Sequence, residues 1–64
     1  MAKYYILSKA ISTGATELVE TIEAKGLKEA RKIASSKHIN IITSGTHQLI
    51  VVGKAGYTQY YKEA

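Results

Sequence analysis

His38-Ile39-Asn40-Ile41-Ile42-Thr43-Ser44-Gly45-Thr46-His47-Gln48-Leu49-Ile50-Val51-Val52 is the stretch on which the fold turns. Two runs rich in Ile and Val flank a Ser-Gly-Thr break, the pattern of two strands joined by a tight hairpin turn. Residues 49–52 have no polar interruption, so their strand is expected at the centre of a sheet, covered on both faces, or on one face by a partner. With Ser44-Gly45 as the turn, His47 lies opposite Ile42 and His38 opposite Val51. The two imidazoles then stand at opposite ends of the hairpin and cannot share one ion.

Working towards the C-terminus, Gly53-Lys54-Ala55-Gly56 reads as a second turn and Tyr57-Thr58-Gln59-Tyr60-Tyr61 as a short last strand. In the other direction, residues 27–37 carry the helical signal. Leu27, Ala30, Ile33 and Ala34 fall on one stripe while Lys28, Glu29, Arg31, Lys32, Ser35 and Ser36 face away. Gly26 serves as N-cap, Glu29 suits the positive end of the helix dipole, and Lys37 suits the negative end.

Residues 3–11 are rich in strand formers, with apolar side chains on both faces at the middle, and residues 12–16 form a turn in which Gly14 can take positive φ. Residues 17–24 read two ways. A helix capped by Thr16 gathers Leu18, Val19 and Ile22, whereas a strand aligns Leu18, Ile22 and Ala24 on a face that Glu20 spoils. The Val, Thr and Ile content and the preceding turn favour the strand. The expected order is ββαβββ: an α+β domain spanning residues 1–64, with one helix on one face of a mainly antiparallel sheet of four or five strands.

The chain has 64 residues, 45% hydrophobic and 22% charged, with no cysteine and no proline. One domain is all that this length supports, and a core this small gains from self-association, so a homo-oligomer is expected. No apolar run approaches the roughly 18 residues of a membrane span, and the start shows strand-like alternation rather than a leader. The cytoplasm is therefore the expected location, with no membrane partner. The net charge is +4, while Glu17, Glu20 and Glu23 concentrate three of the five acidic residues in one segment. The remainder of the chain is thus basic, which suits an acidic partner.

Catalysis finds little support. Aspartate is absent, which removes Asp-based metal sites and the Ser-His-Asp triad. Glu17, Glu20 and Glu23 are expected in solvent, and Gly53-Lys54-Ala55-Gly56 lacks phosphate-loop spacing. No enzyme activity, cofactor or metal is expected. The N-terminus of the helix, flanked by Lys25 and Lys28 with Arg31 and Lys32 one turn on, is a candidate anion site.

All five aromatic residues are tyrosines near the chain ends, Tyr4, Tyr5, Tyr57, Tyr60 and Tyr61, and tyrosine joins a large apolar ring to a hydroxyl that needs a partner. A single helix leaves one sheet face open. Tyr5, Tyr57, Tyr60 and Tyr61, with Lys3 and Lys54, are the expected binding residues on that face. A protein partner is the favoured reading, of inhibitor or adaptor type. Nucleic acid, with tyrosines stacking bases and lysines on phosphates, is the second, although no established nucleic-acid signature is present. A small ligand or nucleotide at an oligomer interface is the third. In general style the short chain resembles small accessory proteins of phages and mobile elements, which implies binding rather than chemistry; no motif carries that likeness.

Overall fold

Ile6 and Leu7 are neighbours in sequence, so on a strand they point to opposite faces, and both are fully buried. That combination requires cover on both sides and places their strand in the middle of the sheet. The computed structural model describes residues 1–61, the last two as backbone. Its elements are β1 (Ala2–Ala10), β2 (Thr16–Ala24), α1 (Leu27–Lys37), α2 (Ile39–Thr43), β3 (His47–Val52) and α3 (Lys54–Tyr61). The sheet is antiparallel in the order β2-β1-β3.

The β1–β2 hairpin closes as its turn residues require. Gly14 takes φ 75°, a value that glycine adopts without steric penalty, and its amide donates to the Ala10 carbonyl at 2.7 Å. The strand reading of residues 17–24 holds, and the misplaced Glu20 has a physical explanation. Ile6 faces Glu20 but Leu7 faces Leu18, so Val19 is an extra residue, a β-bulge. The bulge switches the alternation. Leu18 joins Leu7 on one face, while Glu20 and Ile22 join Ile6 and Tyr4 on the other.

The helix at residues 27–37 forms as its periodicity requires, beginning with the Ala30 amide donating to the Gly26 carbonyl at 3.0 Å. Ala30 and Ala34 are buried, and their small side chains let α1 lie close to the sheet. It covers the face of Ile6 and Glu20, since Lys37 at its end and His38 just beyond it both reach Glu20.

Two strand expectations fail. Residues 38–43 do not pair with β3; after a break at His38 (φ −121°, ψ 40°) they form the short helix α2. Hydroxyls stabilise this turn against the strand preference of its isoleucines. Thr43 Oγ1 donates to the Ile39 carbonyl at 3.1 Å, and Ser44 Oγ donates to the Ile41 carbonyl at 2.8 Å. Ser44 Oγ also accepts from the amides of Thr46 and His47. Residues 54–61 are likewise a helix, not a turn and a strand: the Tyr57 amide donates to the Gly53 carbonyl at 2.9 Å and Thr58 Oγ1 to the Lys54 carbonyl at 2.9 Å.

The sheet therefore has three strands among the described residues, not four or five, and β3 pairs with β1 alone. It is an edge strand, not the central one. Helix α3 also corrects the expectation of an open sheet face. Val52 lies opposite Tyr5, on the face away from α1, and α3 packs there; a Cβ on Gly56 would stand 2.8 Å from that of Val52. No helix is long and apolar enough to cross a membrane among the described residues.

Candidate functional site

The tyrosines expected to form an open binding face are partly engaged with each other. Tyr5 from β1 and Tyr57 from α3 stack with ring centroids 4.1 Å apart and planes 10° from parallel. Lys3 Nζ sits 5.6 Å from the centre of the Tyr5 ring, a cation–π contact. Tyr5, Tyr57 and Lys3 are thus brought together, both rings half-buried, while Lys54 is exposed at the start of α3. The side chains of Tyr60 and Tyr61 lie outside the described residues. A ring whose face is already stacked has less to offer a base or a partner.

The basic residues near the start of α1 separate. Lys25, Lys28, Arg31 and Lys32 are all exposed, but only Arg31 turns towards a concave surface. At 100° per residue, Lys32 lies about 100° further round the helix, away from the sheet. Arg31 and Ser35, four residues apart, look along the flank of α1 over the edge of β3.

That flank bounds a groove of about 820 Å³, which runs the length of β3. Leu49 and Val51 share the sheet face under α1, Ile42 contributes from α2 and Ile11 from the turn just after β1. Residues 49–52 are only half-buried. Among the described residues, no strand pairs with the outer side of β3, so its outward amides and carbonyls lie open beside an apolar floor. The sequence does not announce this surface, because an unbroken apolar run reads equally as a central strand covered on both faces or as one covered on one face by a partner. The signal available was contrast: β2 carries Glu17, Glu20 and Glu23, whereas β3 has no acidic residue and no lysine.

The two edges are accordingly different. Charged side chains on an edge strand discourage pairing with another chain, and β2 has them. Glu20 is not simply solvated, as expected from the sequence, since its carboxylate accepts from His38 Nε2 and from Lys37 Nζ at 3.2 Å. The His38 hydrogen bond, and then that of Lys37, hold the Glu20 carboxyl below its ordinary value against the opposing pull of desolvation. This cluster ties β2 to the junction of α1 and α2.

His47 Nδ1 meets Thr46 Oγ1 at 2.9 Å, so the two histidines have different neighbours. Among the described residues, no group of three or more acidic, His or Cys side chains is placed to hold a metal. In comparisons with known proteins, no family model, no curated protein and no solved structure matches the chain.

Proposed function

We propose that this chain is a non-catalytic binding module that engages a protein partner by accepting an extended segment of it as a fourth strand beside β3. The observation that carries the reading is the edge of β3, unpaired and uncharged among the described residues, running along an apolar groove opposite an edge defended by three glutamates. Strand addition supplies main-chain hydrogen bonds for affinity and alternating side-chain contacts for selectivity. The protein partner expected from composition is kept, but the surface moves from the tyrosines to β3. The cysteine-free chain fits a cytoplasmic setting.

A second copy of the chain is the competing occupant of the same edge. Sedimentation at micromolar concentration separates the two: a 7.0 kDa monomer leaves β3 free, whereas a dimer that dissociates on Ile50→Lys assigns the edge to self-pairing. Peptides selected from a displayed random library test the main reading. Their binding is expected to move the NMR amide signals of β3 and of the Arg31–Ser35 flank. Signals moving only in α3 and around Tyr5 would return the site to the tyrosines. Nucleic acid is tested with mixed single- and double-stranded oligonucleotides at low salt, where phosphate contacts are strongest and no binding is expected.

A further inference from the structure

Among the described residues, the groove has one cation and no anion. None of its lining residues is acidic, and Arg31 is the charged member. Among the described residues, both ion pairs converge on Glu20, and the Arg31 guanidinium meets no carboxylate. Lys28, three residues earlier on α1, adds charge of the same sign, while Glu29 points roughly 160° away around the helix. An arriving strand therefore meets an apolar floor with a positive wall.

Resting on the reading of β3 as the docking edge, we infer that the partner segment is an extended strand with an acidic side chain among apolar ones, its carboxylate held by Arg31. A strand added to β3 lies about 4.8 Å outside it and alternates its side chains. Those on the Leu49 and Val51 face rise beneath the flank of α1. An apolar side chain there covers the groove floor, and the next one on the same face comes within the reach of Arg31. The planar guanidinium suits a carboxylate because it can donate two parallel hydrogen bonds. Ser35, one helical turn on, offers a hydroxyl donor on the same side. A glutamine offers the guanidinium one neutral carbonyl acceptor in place of the charged pair, and a lysine adds repulsion.

The test uses nine-residue peptides alternating Val and Thr on a soluble Gly-Ser tail, with one Val replaced in turn by Glu, Gln or Lys at each position on the apolar face, so that the new side chain keeps Val neighbours on its own side. Binding is read by NMR titration of the intact protein. At the best position the expected order is Glu, then Gln, then Lys, with Glu about threefold to tenfold tighter than Gln at low salt because the site is partly exposed. Arg31→Gln is expected to remove that difference and leave the affinity of the Gln peptide unchanged. Arg31→Lys keeps part of it, since the charge remains and the paired donors do not. Equal binding of all three peptides to the wild-type protein overturns the inference and leaves the β3 reading standing. A Glu preference that persists in Arg31→Gln overturns the assignment to Arg31. If no peptide shifts the β3 signals, the docking edge fails and the inference with it.

Discussion

Glu20 shows how one residue can look wrong in sequence and still be well placed. In strict alternation it interrupts the face made by Leu18, Ile22 and Ala24, and on that count it argued against a strand. The bulge at Val19 removes the conflict by moving Leu18 to the opposite face and leaving Glu20 to meet Lys37 and His38. No single-sequence pattern announces a bulge here, because its benefit lies in a contact with residues 17 and 18 positions away. Because the folded protein holds the Glu20 carboxyl below its ordinary value of 4.5, its contribution to stability is present above that unfolded-state value. That contribution is lost as pH falls through the lower folded value. Glu20→Gln is therefore expected to flatten the acid limb of stability against pH while leaving the fold intact. Urea unfolding between pH 7 and pH 3 measures it, and an unchanged acid limb refutes the coupling.

At the scale of elements, local propensity and tertiary demand agree for β1, β2 and α1 and part company after His38. Helix α1 was legible because its alanines and charged residues separate cleanly at helical spacing. In α2, Ile39 and Ile42 remain 51% and 44% exposed, so the helix is held by hydroxyl caps and chain direction rather than by burying its apolar side chains. The chain must cross from the β2 side of the sheet to its other edge, and residues 38–43 make that crossing. For α3 the clue was present, since Tyr57, Tyr60 and Tyr61 have i, i+3, i+4 spacing, but the two glycines before them suggested a turn. Gly56 is needed where α3 meets Val52. Gly56→Ala sets an alanine methyl against the Val52 side chain, and the gain in helix propensity does not offset the clash. We expect a net loss of about 1–3 kcal/mol, read by thermal or urea melting, with the Tyr57 amide losing protection from hydrogen exchange. A stabilised variant would mean that α3 is not packed as described.

The whole molecule is a thin body of 34 × 28 × 14 Å built around few large buried side chains. Ile6, Leu7, Ala24, Ala30 and Ala34 are its buried apolar residues among those described. Fold class and the one-helix cover of the Ile6 face were readable from composition and periodicity; the number of strands and the identity of the edge were not, because both depend on which elements cross the sheet. Ile6→Ala is expected to cost about 2–5 kcal/mol, a large part of the stability of so small a domain. Ile42→Ala, at an exposed position lining the groove, is expected to stay within about 0.5 kcal/mol while weakening peptide binding. Chemical denaturation of the two variants side by side checks the contrast, and equal losses would place Ile42 in the core.

The strand order also has a kinetic meaning. β1 meets β2 across a short turn, but it meets β3 only after the whole α1 and α2 segment has been laid across the sheet. The first pairing closes a small loop and the second a large one, so the hairpin can form early while β3 must wait for a slower, non-local search. Until β3 arrives, the inner strand has one side uncovered, and Ile6 and Leu7 lack half of their shelter. A segment that grips β3 from outside would favour the closed arrangement, so that the partner acts as a latch on the last piece of the sheet to fall into place.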